Sequence, residues 1–166
     1  MTHQRGLAAM LTLLFVAIPA SAQESAPDRS QDVAWHNRQM LALAQRHGGA
    51  GWHVTASGLR WRLIAGNGAG EHPGPADRVT VHYTGTFTDG VEFDSSVRRG
   101  TPATFPLNRV IRGWTEGVQL MGVGDKAEFA IPMDLAYGPG GRGPIPGGAT
   151  LLFTVELLGI ERAAAE

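Results

Sequence analysis

The chain has 166 residues, 43% of them hydrophobic, which suits one domain with extensions and a packed core. Its formal net charge is -1 and it carries no long basic run, so no electrostatic case for nucleic acid exists. Gly 23 and Pro 10 make it loop-rich without low complexity, and the absence of cysteine excludes disulfides and cysteine-linked lipid.

In chain order, residues 1–6 are polar and include Arg5, Leu7 to Ile18 is an apolar run, and Pro19 precedes "ASA" at 20–22. A basic start, an apolar middle and small residues are the three parts of a secretory signal. The rival reading is an uncleaved membrane anchor. Twelve residues of helix span about 18 Å, short of the ~30 Å hydrocarbon layer. Cleavage after Ala22, a mature start at Gln23 and a periplasmic or secreted location are therefore expected, with no stable membrane anchor.

Residues 23–31 read as a flexible polar segment. Residues 32–47 read as a helix with Ser30 as N-cap and Val33, Met40, Leu41 and Ala44 near one face; Gly48-Gly49 stops it. Such a helix either packs on its own domain or makes a dimer contact, so the chain is expected to be a monomer or a weak dimer. From Gly58 the period becomes two. Leu59, Trp61 and Leu63 alternate with Arg60 and Arg62, and Val79, Val81 and Tyr83 alternate with polar residues. "TDG" at 88–90 signals a tight turn, and Val91 and Phe93 continue beyond it. A short helix is expected near 112–121, a strand at 126–131 with Ala127, Phe129 and Ile131 inward, and another from Leu151 to Leu157. Between these two strands, "GPGGRGPIPGG" at 138–148 is a long loop of the kind that usually carries function. No βαβ rhythm appears. The fold class is α+β: an antiparallel sheet with a helix packed on one face.

The familiar chemistries find little support. The six histidines are scattered, with no metal-ligand spacing, and no nucleophile motif or phosphate loop is present. Asp89, Glu92 and Asp94 cluster in sequence, but Glu92 and Asp94 flank Phe93 on a strand, which does not suit a glycosidase acid pair. What stands out is an aromatic set drawn from separate elements: Tyr83, Phe93, Phe105, Trp114, Tyr137 and Phe153. It reads as core or as the lining of a mostly apolar pocket; spacing alone leaves both open.

The stretches "TASGLRWRLI" (55–64), "VTVHYTGTFTDGVEFDSS" (79–96), "VIRGWTEGVQLMGVGDKAEFAIP" (110–132), "AYG" (136–138) and "ATLLFTVELLGIE" (149–161) resemble the FKBP-type peptidyl-prolyl cis-trans isomerases. With the signal and short helix, the chain resembles the secreted bacterial branch. The resemblance implies a twisted antiparallel sheet of five or six strands wrapped round one short helix. It divides the chain into a signal peptide (1–22), a flexible segment with an N-terminal helix (23–54), an isomerase domain (55–162) and a tail (163–166).

It also implies a site. Trp114 forms the pocket floor, with one face open to ligand, and Gly113 lets ring and backbone approach. Tyr83, Phe93 and Phe153 close the sides. Val110 and Ile111 line the wall, and the Ile111 N–H faces the ligand. Asp94 sits at the rim, where it polarises the pocket, bonds Tyr83 or touches the rotating carbonyl; a purely structural acceptor is the remaining reading. The Tyr137 hydroxyl reaches over the mouth, and Phe105 and Ile145 complete the substrate contacts. Ligands would be X–Pro segments of unfolded or partly folded polypeptides, and macrolide inhibitors. Catalysis would need no cofactor and no metal. The chain departs from the family pattern at Ala103, where an aromatic is usual, in a short 105–110 segment and at Arg142 in the glycine-rich loop. Two functions compete: isomerisation during folding of exported proteins, or a proline-peptide-binding module or holdase chaperone with little turnover.

Overall fold

The computed structural model describes residues 26–163. The signal-like segment 1–22 lies outside the described residues. Helix α1 spans Val33–Ala44. Seven strands follow: β1 His53–Val54, β2 Arg60–Ala65, β3 Arg78–Thr86, β4 Glu92–Ser95, β5 Ala103–Pro106, β6 Lys126–Ile131 and β7 Leu151–Glu161. Two short helices, α2 Ser96–Arg99 and α3 Arg112–Val118, complete the set.

All strand pairs are antiparallel. Six strands follow one path, β1-β2-β6-β7-β3-β4, and β5 is a seventh that pairs with β3. The two-residue β1 and the four-residue β5 are too short for alternation to show in sequence. The long strands follow their pattern: β3 buries Val79, Val81 and Tyr83, and β7 buries Leu151, Phe153, Val155 and Leu157. Each fully buried aliphatic side chain contributes about 1.5–3 kcal/mol relative to exposure.

Helix α3 explains why a tryptophan sits among glycines. A Cβ on Gly113 would run into the Ile131 side chain, and one on Gly117 would lie 2.8 Å from the Phe129 ring. These glycines are four apart and share one face. That bare face lies flat on β6, and the close approach seats Trp114 and Val118, both at 0% exposure, inside the core. The Thr115 hydroxyl donates to the Leu107 carbonyl at 2.5 Å, which ties the helix to the turn before it.

The N-terminal helix differs from its sequence reading in two ways. Its N-cap is Asp32, whose carboxylate accepts from the Trp35 N–H at 2.8 Å, rather than Ser30. Its buried face is Trp35, Gln39 and Ala42, while Val33, Met40 and Leu41 face outward. Aliphatic content misleads here, because the docking surface offers backbone polar groups and the Thr88 hydroxyl. That surface suits an indole N–H and a side-chain amide better than leucine. The helix packs on its own domain.

Candidate active site

The aromatic set comes together on the face of the sheet that α3 covers. Around the Trp114 ring, Tyr83 stands edge-to-face at 5.2 Å between centroids, Phe153 at 5.2 Å and Phe105 at 5.3 Å. Phe93 packs edge-to-face on Phe153 at 5.6 Å and against Phe87 at 4.9 Å. Such pairs contribute about 0.5–1.5 kcal/mol each beyond their buried area. An open outer face on Trp114 is not what the structure has: the ring is wholly buried, and its indole N–H has no hydrogen-bond acceptor among the described residues. Phe93, Phe105, Val110 and Tyr137 are half-buried and pack against the same cluster.

Phe93 and Asp94 are consecutive, so a regular strand would point them to opposite faces. The pairing of β3 with β4 shifts between them: Gly85 faces Asp94, and Thr86 faces Glu92. Phe93 is the extra residue of a β-bulge, which re-aims its side chain. Phe93 thereby reaches the aromatic cluster while Asp94 reaches Tyr83. Gly85 leaves room for this wall. A Cβ there would lie 2.6 Å from the Phe93 ring and 2.7 Å from the Phe153 ring. Gly85→Ala is expected to destabilise by about 1–3 kcal/mol, the usual cost of overpacking. Urea unfolding would measure it, and an unchanged midpoint would show that the rings yield freely.

The polar rim is built around Asp94. One of its oxygens accepts from the Tyr83 hydroxyl, the other from the Arg99 guanidinium. Arg99 also donates to the Tyr83 oxygen at 3.1 Å and lies over the Tyr83 ring at 5.7 Å. The bond to Tyr83, one of the roles open to Asp94 in sequence, is present. Arg99 is a site residue that the sequence does not single out, because nothing in "SSVRRG" marks it. The cue is positional: α2 begins directly after β4, so Arg99 lies five residues beyond Asp94 and folds back on it.

Besides the Trp114 indole, two further donors in this set have no acceptor among the described residues. Ile111 caps α3, and its carbonyl accepts from Trp114 and Thr115. Its own N–H donates to no acceptor among the described residues. The Tyr137 hydroxyl likewise has no partner among them, although its ring is half-buried. Ile145 is 2% exposed, held by paired backbone bonds with Arg142 at 2.9 Å; it packs into the core cluster beneath the loop. All ten sequence-predicted site residues thus belong to one contiguous cluster or its polar edge.

Tyr83 and Tyr137 are the chain's two tyrosines. Burial pushes the pKa of both above the usual phenol value of 10.0, and the Asp94 hydrogen bond adds to the shift at Tyr83. An acid whose folded pKa is raised contributes stability below its unfolded pKa and loses it as pH rises. Unfolding free energy should therefore fall above about pH 10, by roughly 1.4 kcal/mol per pH unit for each tyrosine still neutral in the fold. Urea titrations between about pH 8 and 11 would test this. Tyr137→Phe should lower the slope, and an unchanged slope would contradict the assigned environment.

A concavity of about 380 Å³ opens among Arg46, Trp52, Arg62, Thr84, Glu128 and Thr154. Its lining is largely polar; Phe129 and Phe153 reach it, but Tyr83, Phe93, Phe105, Trp114 and Tyr137 do not line it.

Antiparallel sheet, short covering helix and aromatic cluster define a protein class. Residues 69–158 match the family model for FKBP-type peptidyl-prolyl cis-trans isomerase, and the chain belongs to that family. It is 60% identical over 112 residues to FKBP-type peptidyl-prolyl cis-trans isomerase FkpA of Aeromonas hydrophila, covering 68% of this chain and 41% of that protein. It is 41% identical over 162 residues to the macrophage infectivity potentiator of Trypanosoma cruzi, covering 92% of this chain and 81% of that protein. The crystal structure of FkpA from Escherichia coli superposes with a TM-score of 0.72 at 38% identity, covering 80% of this chain and 63% of that one. The chain spans about half the length, or less, of the first bacterial relatives it matches.

Proposed function

We propose that the chain is a peptidyl-prolyl cis-trans isomerase that acts on X–Pro bonds of exported proteins. The observation that carries this reading is the aromatic cluster over Trp114 with two unengaged donors, the Ile111 N–H and the Tyr137 hydroxyl, at its edge.

An X–Pro bond isomerises unaided in tens to hundreds of seconds, slow enough to limit folding. Amide resonance makes the barrier, about 18–20 kcal/mol for peptide bonds. Resonance separates charge, and water stabilises that separation. A rim of Phe93, Phe105, Val110 and Tyr137 displaces water from the bond, so the planar ground state loses more than the twisted transition state. Each ~1.4 kcal/mol of that difference is tenfold in rate. The free Ile111 N–H and Tyr137 hydroxyl would hold substrate carbonyls while the bond turns. The Tyr83–Asp94–Arg99 network fixes the opposite wall. Tyr83 remains a neutral donor because burial and Asp94 hold its pKa up.

Export rests on the sequence of residues 1–22. Support from relatives is in name only: one 48% identical over 112 residues is an outer membrane protein, MIP, of Legionella longbeachae. The test is isomerisation of proline peptides by protein starting at Gln23, with the residue before proline varied. Catalysis that saturates with peptide is expected. Peptide binding without rate enhancement would sink the isomerase reading and favour a binding module. Material from the native host should begin at Gln23; a full-length product would refute export.

A further inference from the structure

Helix α1 lies outside the family-matched segment 69–158, yet its buried side chains bond to the matched segment at Thr88, Gly147 and Thr150. Two of its side chains are 4% exposed, Trp35 and Gln39. The Trp35 indole N–H donates to the Gly147 carbonyl at 3.2 Å. Gly148 beside it, in left-handed backbone at φ +77, lies against the His36 and Trp35 rings. Gln39 uses its whole amide. Its Nε2 donates to the Thr88 hydroxyl at 3.1 Å and to the Trp35 carbonyl at 3.3 Å, and its Oε1 accepts from the Thr150 N–H at 2.9 Å. The Gln39 carbonyl accepts from the Thr150 hydroxyl at 3.4 Å. Upstream, the Ala26 N–H donates to the Gly143 carbonyl at 2.9 Å.

These contacts reach two loops at once. Residues 138–148 follow Tyr137 and contain Ile145. Thr88 lies in the turn between β3 and β4, next to Phe87, which packs on Phe93. A glycine-rich loop of this length is costly to order. If it is ordered only when a peptide arrives, that cost weakens binding; if it is ordered in advance, binding is spared. A buried amide with every group bonded is the usual way a polar contact fixes one arrangement.

We propose that Trp35 and Gln39 are positioning residues, and that α1 braces the 138–148 loop against the β3–β4 turn so that peptide meets a preformed mouth. This rests on the isomerase reading for its kinetic consequence. It assigns α1 to the working domain, rather than to a separate N-terminal segment.

The experiment uses the mature chain with Gln39→Leu, Trp35→Phe and, as a control on the outer face of α1, Met40→Ala. Peptide isomerisation gives KM and kcat, and hydrogen exchange reads the amides of 139–148. Gln39→Leu should raise KM about fivefold or more while kcat stays within about twofold. Exchange in the loop should quicken. Trp35→Phe keeps a buried ring but loses the Gly147 bond, and should move both readouts in the same direction by less. Met40→Ala should move neither. Unchanged KM and unchanged loop exchange in Gln39→Leu and Trp35→Phe would overturn the proposal, as would a fall in kcat at constant KM. If Gln39→Leu fails to fold, Trp35→Phe decides alone. If the unmodified chain shows no turnover, the isomerase reading falls, and loop exchange still decides whether α1 braces the mouth.

Discussion

Trp114→Ala is expected to lower the unfolding free energy by about 3–5 kcal/mol, the full range for removing a buried aromatic. A floor with one open face would cost less. The ring has no open face: it is 0% exposed, and the rings of Tyr83, Phe105 and Phe153 stand round it. Domains of this size have about 5–15 kcal/mol to lose, so the variant should fold but with a narrow margin. Its catalysis should collapse as well, since the three neighbouring rings would tilt into the space. Trp114→Phe separates the two effects. It deletes an indole N–H that has no acceptor among the described residues, a group whose burial costs about 1–3 kcal/mol, which offsets part of the lost packing. That variant should remain close to wild type in stability while turning over more slowly. Urea unfolding and peptide isomerisation on both variants give the comparison. A loss under about 1.5 kcal/mol for Trp114→Ala would mean the ring is not packed as described.

The same residue shows what a sequence can and cannot tell. Alternation marks β3 and β7 because each is long and buries one face. The short helix near 112–121 is expected from sequence, but only the structure shows that Gly113 and Gly117 press it onto Ile131 and Phe129. The bulge at Phe93 is not legible, because a one-residue shift in pairing depends on the partner strand. Without it, periodicity cannot place Phe93 and Asp94 on one site. The resemblance to the family supplies that placement. Arg99 escapes sequence reading since its role depends on where α2 begins. The inner face of α1 escapes it for a different reason. Hydrophobic periodicity looks for apolar partners, and Trp35 and Gln39 dock on a loop carbonyl, a backbone N–H and a threonine hydroxyl.

The second large effect belongs to Asp94, and it separates isomerase from holdase. Both carboxylate oxygens are engaged, by Tyr83 and Arg99, so Asp94→Leu removes the acceptor from two donors at once. Its side chain is 19% exposed and that of Arg99 27%, so water reaches the pair in part and the cost to the fold should be about 1–3 kcal/mol. The cost to turnover should be larger in proportion. Tyr83 and Arg99 lose their anchor, and the wall opposite Ile111 is no longer fixed. kcat/KM should fall about tenfold or more, about 1.4 kcal/mol of transition-state stabilisation. Phe93→Ala should give a similar loss by a different route, because it removes apolar rim that excludes water from the amide. Suppression of client aggregation draws on exposed apolar surface rather than on orientation. Asp94→Leu adds such surface and should leave suppression intact or improved. The measurement is a pair on the same proteins: peptide isomerisation, and light scattering of an aggregating client. Loss of isomerisation with suppression retained would mean that the Tyr83–Asp94–Arg99 network serves catalysis. Loss of both activities in Asp94→Leu, with circular dichroism unchanged, would mean that one surface does both. Full isomerisation in both variants would place the working pocket elsewhere, since each removes a different half of what this site offers an X–Pro bond: dryness from Phe93, a fixed polar wall from Asp94.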